Sequence, residues 1–558
     1  VFQVAKSHGY VIHADPWSFQ VANSPLVVRT QSFLQPHGEA MTFAGVPEDA
    51  QGLASALDAS LGAVQSRLPF CKDTVRQLEI DLRRRLSFGW LSPAPVPSRR
   101  VCIVLEGEIS IRATKFRWET AAALGVDVVV LSTGSWWQDD QGPFGSLREA
   151  FIITDLTPGP DLGARIARAL KSYPHTIDGI FALSDTLLIP VAEAATQLGL
   201  WTSGPEPYRI STNKFLTRQL LDPTSGEYFS VNSLEELEMR LTCNDPVSFP
   251  VVCKPFCGIG SEGVYRADNP TQLRHAVSQC IASKNHESCL IEPYVDGPEV
   301  DCNLVFMDGH LLYSEVVDYF PCDADVAEDA TDKLFAETEA VVPCQLPVEE
   351  QKAIVETVSK AVILQGFDTG VFHCEARVRN SFMTYRLAHE ATIPDLVVKD
   401  EPRKTEEKIR IFLHEINARI PGIASSASSL IANGIDFWAL QILCAVGDWG
   451  RYKALSVPFL SSSEGGGHHV WLTNSLVPIT YKGIQPLYPN FPMDRLGHQL
   501  VDSSHNPVVE LSESHEELTR YVLRHNANVN DGVKYGFNKG DWLWTACLVI
   551  RSPISRKL

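Results

Sequence analysis

A glycine-rich stretch with one lysine, VVCKPFCGIGSEGVY at residues 251–265, has the composition of a loop that binds phosphate. Gly258, Gly260 and Gly263 match G-x-G-x-x-G, the pattern of dinucleotide-binding turns, which requires a helix directly after the last glycine. Residues 264–266 continue instead as a strand, and a helix start is indicated only beyond them. The stretch therefore predicts a hairpin of two strands whose tip consists largely of backbone.

Lys254 precedes these glycines, whereas the lysine of a P-loop follows them, so the P-loop pattern does not apply either. At the base of a hairpin, the Lys254 side chain can reach the same phosphates that glycine amides approach. Ser261 adds a hydroxyl donor within the loop. We therefore predict a flap that covers phosphate groups, with a plain turn as the alternative.

Acidic and amide side chains interrupt two apolar strands further along the chain, VFHCEARV and FLHEINARIPG. Glu415 and Asn417 are two residues apart and so project from one face of a strand, while Glu375 lies on the other strand. Oxygen ligands from two strands suit Mg²⁺, which keeps water and phosphate in its remaining positions. Arg419 extends the same face and offers a planar donor group for phosphate or carboxylate.

The segment IEPYVDGPEVD adds groups that suit a nucleoside. It predicts a strand end, a turn at Asp296-Gly297 and a second strand on which Glu299 and Asp301 share a face. Backbone amides and carbonyls at a strand end suit the edge of adenine, and a carboxylate suits the hydroxyls of ribose. Together with the flap, this segment offers groups that suit the phosphates, the base and the sugar of an adenine nucleotide.

Hydrophobic periodicity assigns the elements that position these residues. RRVCIVLEGE and VDVVVLS are typical of buried strands, and TKFRWETAAALG between them is typical of a helix, which predicts a βαβ unit and a parallel sheet. IDGIFALSDTLLIPVAEAATQLGL repeats this pattern, with a strand ending at Ser184-Asp185. NKFLTRQLL predicts the next helix, capped by Ser211 or Thr212. LSPAPVPS at 91–98 marks a boundary, and two helices are predicted before it.

The composition excludes several classes of function. A net charge of −19 argues against nucleic acid or an anionic membrane as a partner, because both are bound through basic surfaces. The 13 cysteines form no C-x-x-C pair, which is typical of reduced thiols in a cytoplasmic protein. We find no pattern of a signal peptide or a membrane span. The length of 558 residues predicts several packed units.

The ordered motifs NKFLTRQLL, KPFCGIGSEGV, IEPYVDGPEVD, FHCEA and HEINARIPG resemble those of ATP-grasp carboxylate–amine ligases, in particular the L-amino-acid ligase and carnosine synthase branch. The resemblance covers roughly residues 100–450. It implies an α/β (α+β) ATP-grasp fold with a preceding Rossmann-like βαβ domain. The expected divisions are an N-terminal extension domain at 1–98, the Rossmann-like domain at 99–205, a small subdomain with the flap at 206–300, a large subdomain with the metal site at 301–450, and a C-terminal domain at 451–558.

The resemblance also implies a role for each motif residue. The residues that would hold and cover the ATP phosphates are Lys214, Lys254, Gly258, Gly260, Ser261 and Gly263. Those that would bind adenine and ribose are Glu292, Pro293, Tyr294, Val295 and Glu299. Two Mg²⁺ ions, with Mn²⁺ as an alternative, would be bound by Glu375, Glu415 and Asn417. Arg419 would hold an acyl phosphate, and His373 is a candidate general base or, alternatively, a strand histidine packed beside the metal acids.

Three features depart from the family pattern. The segment between Glu375 and Glu415 is longer than the hairpin usual in the family and contains the charged run VVKDEPRKTEEKIR at 397–410, which predicts a solvated loop. A single glycine follows Arg419 where the family usually has a pair, so the amine-binding end of the site is not predicted. The first ninety residues and the region beyond 450, including SSSEGGGHHV, match no motif of the family. The pair His468-His469 in that region is expected to belong to a glycine-rich loop, with a metal-binding pair as the alternative.

Taken together, these patterns lead us to expect an ADP-forming ligase. A carboxylate would attack the γ-phosphate of ATP, and an amine, expected to be that of an amino acid, would then displace phosphate to form an amide. Three alternatives stay open: an ATP-grasp carboxylase of the biotin-dependent type, a nucleotide-binding module without catalysis, and an NAD-dependent oxidoreductase. The expected partners are small molecules only, and a homo-oligomer is compatible with the sequence.

Overall fold

The computed structural model describes residues 2–5, 8–12, 21–22, 24, 26–35, 37–44, 47–87, 89–106, 111–134, 145–223, 226–243, 246–258, 260–282, 288–326, 335, 339–387, 394–400, 408–458, 469–478, 522–527 and 542–552.

The N-terminal region forms two small sheets and two helices. Its elements are β1 (Phe2–Val4), β2 (Gly9–Val11), β3 (Val27–Ser32), β4 (Glu39–Ala40), α1 (Ala50–Asp58), β5 (Ser60–Ser66), α2 (Lys72–Arg85) and β6 (Leu91–Ser92). The strand orders are β1-β5-β3 and β4-β2-β6. Leu78 and Leu82, one turn apart on α2, pack with Leu61, Val64 and Trp90 in one apolar core. The two helices predicted here are confirmed.

A parallel sheet follows, flanked by helices. Its elements are β7 (Arg99–Val104), α3 (Ile111–Ala123), β8 (Val126–Ser132), β9 (Ala150–Ile153), α4 (Leu162–Lys171), β10 (Gly179–Ala182) and α5 (Asp185–Leu198). The strand order is β10-β7-β8-β9, and every pairing is parallel. The predicted βαβ unit is confirmed. Because the chain returns to place β10 beside β7, the strand order reverses between these two strands.

A four-stranded antiparallel sheet carries the glycine-rich stretch. The elements are α6 (Pro205–Ser211), α7 (Lys214–Leu221), β11 (Phe229–Val231), α8 (Leu234–Leu241), β12 (Val251–Pro255), β13 (Tyr265–Ala267), α9 (Pro270–Ala282) and β14 (Cys289–Pro293). The order is β11-β14-β12-β13. Val251 and Cys253 pack against Leu273 and Val277 of α9 in one core. Lys254 alternates with them and therefore points to the other face of the sheet.

The helix that carries Lys214 has a different cap from the one predicted. The N-cap is Asn213, whose Oδ1 accepts a hydrogen bond from the Leu216 N–H at 3.0 Å. Ser211 and Thr212, the predicted caps, instead end α6, and their hydroxyls donate to the Tyr208 carbonyl. Two short helices therefore meet where the sequence indicated one, because the asparagine stops the first and starts the second.

The next sheet in the chain has eight strands. The elements are β15 (Glu299–Met307), β16 (His310–Tyr319), α10 (Asp323–Val326), β17 (Glu339–Val342), α11 (Val348–Leu364), β18 (Gly370–Arg379), β19 (Met383–Leu387), β20 (Pro394–Val398), β21 (Arg410–Asn417), α12 (Ile423–Asn433), α13 (Phe437–Ala445), α14 (Trp449–Leu455), β22 (His469–Pro478), β23 (Val522–Ala527) and β24 (Trp542–Ser552). The order is β21-β18-β15-β16-β17-β22-β24-β23, with β19 and β20 as a separate pair. Asp308 and Gly309, at φ 50° and 75°, form the tight turn between β15 and β16.

The strands after residue 458 extend this sheet. β22 pairs antiparallel with β17, and β24 and β23 follow at the edge. The region 451–558, predicted as a C-terminal domain, thus adds strands to the large sheet and forms no separate sheet among the described residues. His469 is the first residue of β22, and His468 lies outside the described residues.

Both ends of the charged segment at 397–410, which the sequence indicated to be a loop throughout, belong to strands. Val397 and Val398 end β20, which forms a hairpin with β19, and Arg410 already begins β21. The Lys399 N–H donates to the Phe382 carbonyl at 2.9 Å, which prolongs the hairpin by one bond. Residues 401–407 lie outside the described residues.

Two consecutive apolar helices pack the parallel sheet against the large sheet. Trp438 of α13 is buried and meets the rings of Trp118 on α3 and Phe181 on β10 edge-on, at 5.9 and 5.5 Å between centroids. No single helix among the described residues combines the length and apolarity needed to span a membrane; α12 and α13 do so only as a pair bent by 105°.

Candidate active site

Half of the predicted site residues line one cleft between the four-stranded sheet and the large sheet. One wall comes from β12 and the glycine-rich flap, and the other from β15, β18 and β21. The predicted residues that line it are Lys214, Lys254, Gly258, Gly260, Ser261, Glu299, Glu375 and Glu415. Most of the other predicted residues contact side chains of the cleft directly.

The flap between β12 and β13 has backbone in the left-handed region at three positions. The φ angles are 60° at Gly260, 58° at Ser261 and 73° at Gly263. Glycine adopts this region without steric cost, whereas Ser261 is strained there, a feature that concentrates at functional loops. The Lys214 N–H donates to the Phe256 carbonyl at 2.7 Å, so the base of the flap is tied to the start of α7.

Lys254 is 4% exposed and forms an ion pair with Glu292. Arg218 donates to the other oxygen of Glu292 at 3.1 Å, so two cations share one carboxylate. Burial alone would raise the pKa of Glu292, but the two cations outweigh burial and the pKa is lowered. Burial lowers the pKa of Lys254, and Glu292 offsets this only in part because Arg218 and Lys214 add positive charge. The excess of positive charge suits an anionic ligand at Lys254.

The predicted adenine segment contributes backbone rather than the Glu292 side chain. Glu292 is 1% exposed and its carboxylate is occupied by the two cations, so its side chain is not placed against a base. The Val295 carbonyl accepts a hydrogen bond from Arg377 Nη1 at 3.0 Å. The Val295 N–H has no partner among the described residues and remains available to the edge of a base.

Glu299 is held by an arginine that the sequence analysis did not single out. Arg377 lies opposite Glu299 in the pairing of β15 and β18 and is 2% exposed. Its Nε donates to Glu299 Oε2 at 2.9 Å, and its Nη1 donates to Asp325 Oδ1 at 2.6 Å. All Arg377 bonds to Glu299 end on Oε2. Oε1 therefore remains for a ligand, as the predicted ribose contact requires.

The three predicted metal ligands lie side by side. In the pairing of β18 and β21, Glu375 is opposite Glu415 and His373 is opposite Asn417. Asn417 Nδ2 donates to Glu375 Oε1 at 3.2 Å. Two carboxylates and an amide on adjacent strands form an oxygen-rich donor set, which fits Mg²⁺ rather than a softer cation.

A β-bulge at His414 determines which side chains of β21 face the cleft. Glu375 is opposite Glu415, whereas the next residue, Ala376, is opposite Leu413, so His414 is the extra residue. Leu413 consequently stays in the apolar core although it lies two residues from Glu415. His414 itself lines the cleft.

Lys214 connects the metal-ligand strands to the flap. Its Nζ donates to Glu415 Oε1 at 2.9 Å and to the Gly258 carbonyl at 3.4 Å. Burial alone would lower the pKa of Lys214, but the carboxylate of Glu415, assisted by Glu375, outweighs burial and the pKa is raised. Lys214 therefore stays charged where a phosphate between flap and acids would lie.

His373 is packed beside the metal-ligand acids. Its Nδ1 is 2.9 Å from Asn303 Oδ1, and its Nε2 is 3.8 Å from Glu375 Oε1. Burial, together with the positive charge of Arg419, lowers the pKa of His373 to about 3. These contacts agree with the alternative of a strand histidine packed beside the acids, and the role of general base stays a prediction.

Arg419 lies beside the metal ligands and pairs with an acid from the parallel sheet. Its Nε and Nη2 donate to the two oxygens of Asp185, each at 3.0 Å. Nη2 also donates to Asn417 Oδ1 at 3.2 Å. Asp185 is the first residue of α5, so this ion pair brings the N-terminal half of the chain into the site.

Arg218, Arg377 and Asp185 are neighbours of the site to which the sequence analysis assigned no functional role. Arg218 lies one helical turn after Lys214, and Arg377 lies two residues after Glu375 on one strand face, so simple periodicity identifies both in retrospect. Asp185 has no such signal, because 234 residues separate it from Arg419.

Comparison with known protein families and sequences agrees with this architecture. Residues 118–202 match the ATP-grasp N-terminal domain, and residues 247–393 match the ATP-grasp domain. The ATP-grasp enzyme fsqD of Aspergillus fumigatus is 35% identical over 389 residues, which cover 69% of this chain and 66% of that protein. Carnosine synthase 1 of Homo sapiens is 25% identical over 305 residues, which cover 50% of this chain and 35% of that protein. The chain thus spans only part of the length of these relatives.

Solved structures share the fold. The L-amino acid ligase of Bacillus licheniformis is similar with a TM-score of 0.54 and 19% identity, over 81% of this chain and 93% of that one. The ADP complex of purK, an N5-carboxyaminoimidazole ribonucleotide synthetase, is similar with a TM-score of 0.52 and 12% identity, over 82% and 93%. The predicted α/β ATP-grasp fold is thereby confirmed. On its sheets and its domain matches, the chain contains an ATP-grasp N-terminal domain and an ATP-grasp domain.

Proposed function

We propose that the protein is an ADP-forming ligase that joins a carboxylate to an amine, with an amino acid as the amine substrate. The observation that carries the proposal is the convergence of Lys214, Lys254, the flap and the Glu375–Glu415 pair on one part of the cleft. These groups suit the terminal phosphates of ATP. The names of two similar proteins, carnosine synthase and L-amino acid ligase, support amide formation between small molecules.

In the first step, a carboxylate oxygen attacks the γ-phosphorus of ATP, the bond from phosphorus to the β–γ bridging oxygen breaks, and ADP leaves. Lys254 and Lys214 bind phosphate oxygens and offset their charge. In the second step, the amine nitrogen attacks the acyl carbon, the bond to the phosphate oxygen breaks, and phosphate leaves. Arg419 holds the phosphate of the acyl phosphate once this intermediate has formed.

Glu375, Glu415 and Asn417 would hold two Mg²⁺ ions, or Mn²⁺ in their place. When bound, such ions neutralise the phosphates and orient them for in-line transfer. The flap covers the phosphates and keeps water away from the acyl phosphate, whose hydrolysis would consume ATP without forming a product. The protein itself therefore acts mainly by positioning and by charge neutralisation.

The test is turnover with ATP, Mg²⁺ and pairs of amino acids, followed by chromatographic separation of the nucleotides. We expect ADP and phosphate, and hydroxylamine should intercept the acyl phosphate as a hydroxamate that names the carboxylate substrate. Stoichiometric AMP and pyrophosphate would overturn the mechanism. Turnover with bicarbonate and none with amino acids would favour the carboxylase, and ATP binding without any turnover would favour a non-catalytic module.

A further inference from the structure

Asp185 is a carboxylate of the site without a part in nucleotide or metal binding. It follows β10 by three residues, at the edge where β10 and β7 flank the reversal of strand order. Ligands of open parallel sheets bind at the carboxyl ends of strands at such a reversal. The Asp185 side chain is 15% exposed, so a second substrate that enters from the parallel sheet can reach it.

Most N–H groups of the Arg419 guanidinium already donate hydrogen bonds to other groups of the protein. Of the five N–H groups of a guanidinium, two donate to Asp185, one to Asn417 at 3.2 Å and one to the Ile420 carbonyl at 3.3 Å. Among the described residues, one N–H of Nη1 is left. A phosphate bound by two parallel N–H groups therefore competes directly with Asp185 for the arginine.

We propose that Asp185 receives the attacking amine once Arg419 has turned from Asp185 to the acyl phosphate. This inference rests on the proposed ligase function. The amine nitrogen forms a bond to the acyl carbon, the bond from that carbon to the phosphate oxygen breaks, and phosphate leaves with the electron pair. The ammonium group of the amine substrate first gives one proton to the Asp185 carboxylate and so becomes the neutral nucleophile. The second proton, which the nitrogen loses as the amide forms, leaves with the phosphate.

The exchange of partners also orders the two steps. Before the acyl phosphate forms, Arg419 neutralises Asp185, and an ammonium group gains little by approaching it. After the acyl phosphate forms, its phosphate group binds Arg419. The Asp185 carboxylate has then lost its cationic partner and attracts the positively charged amine. Among the described residues, Asp185 supplies the one carboxylate in contact with Arg419, so this exchange has a single acidic participant.

The experiment compares two products of Asp185→Asn, which keeps the shape of the side chain. Hydroxylamine is a weakly basic amine that is neutral near pH 7 and needs no carboxylate to lose a proton first. We expect hydroxamate formation within about threefold of the wild type, because activation of the acid does not use Asp185. Amide formation with the amino-acid pair accepted by the wild type should fall by about a hundredfold or more, the usual contribution of a proton acceptor.

Equal losses of hydroxamate and amide would overturn the proposal and assign Asp185 to the positioning of Arg419 alone. Unchanged amide formation would overturn it too. Asp185→Glu keeps the carboxylate and should recover part of the amide formation, which also serves if the asparagine variant folds poorly. Asp161→Asn, at an exposed carboxylate that starts α4, is the matched control and should change neither product. A wild-type protein that gives no hydroxamate with any amino acid would refute the ligase function itself.

Discussion

Lys254→Met separates the charge of this lysine from its packing, because methionine retains most of the length of the side chain. Breaking a buried ion pair typically costs about 3–5 kcal/mol when one charge is left alone. Here Arg218 still donates to Glu292 at 3.1 Å, so the carboxylate keeps a cationic partner. The substitution also removes the two causes that lower the pKa of Lys254, the burial of its charge and the repulsion from Arg218 and Lys214. The free energy of unfolding without ATP should therefore fall by much less than this cost.

The effect on catalysis should be larger than the effect on stability. A hydrogen bond to a charged group contributes about 1.5–3 kcal/mol. Because about 1.4 kcal/mol corresponds to a tenfold change in rate, losing one phosphate contact of Lys254 should lower kcat/KM by about ten- to a hundredfold or slightly more.

The assay pairs ATP-dependent turnover with thermal unfolding in the absence of ATP, and Arg218→Met is the control. Arg218 also donates to the Leu413 carbonyl at 2.6 Å and lies 4.0 Å from the centre of the Phe412 ring. Its loss removes contacts between α7 and β21 and should lower the melting temperature more than Lys254→Met does. Full activity of Lys254→Met would refute the phosphate-binding role of the lysine, and equal falls in melting temperature would refute the argument from the shared carboxylate.

Glu415→Gln should nearly abolish turnover because it removes charge from a shared metal site, whereas Glu299→Gln should mainly raise the KM for ATP. The same modest KM effect in both would show that Glu415 is not a metal ligand. Replacing residues 399–408 by a short Gly-Ser linker should leave ATP affinity unchanged in calorimetric titration, since β18 and β21 stay paired; lost activity with a preserved fold would assign this loop to a substrate site or a subunit contact. The folded pKa of Glu292 lies below its unfolded value of 4.5, so its contribution to stability is present above that pH and lost as pH falls through the folded pKa. Thermal unfolding between about pH 3 and 6 should show a weaker acid dependence for Glu292→Gln, and matching profiles would contradict this assignment.

Local periodicity was sufficient to predict the strands of the site. Glu415 and Asn417 share a face because they are two residues apart, and the flap was identified as a hairpin because a strand, β13, follows its glycines. These features depend on neighbours within a few residues. The parallel sheet was likewise predicted from a helix pattern that lies between two buried-strand patterns.

The features that the sequence did not predict depend on residues distant in the chain. Glu292 can be buried in its charged form because two cations on other elements pair with it. The hydrogen bonds of Arg419 are taken up by an acid that lies 234 residues away. The low pKa of His373 results from its burial within the large sheet and from the charge of Arg419, and not from its own neighbours in sequence. The cap of α7 is a local exception. Ser211 and Thr212 end α6, so that Asn213 is left as the N-cap of α7.

The bulge in β21 makes one position of this strand tolerant of length change. Leu413 faces the core and Glu415 faces the cleft. If His414 were deleted, these two residues would be adjacent, and adjacent side chains of a regular strand point to opposite faces, as Leu413 and Glu415 already do. Deletion of any other single residue between Phe412 and Asn417 would move a metal ligand or a core residue to the wrong face, unless the bulge were lost as compensation. His414 is thus the position where one residue can be deleted without exchanging the face toward the cleft for the face toward the core, and where a designer can shorten the strand.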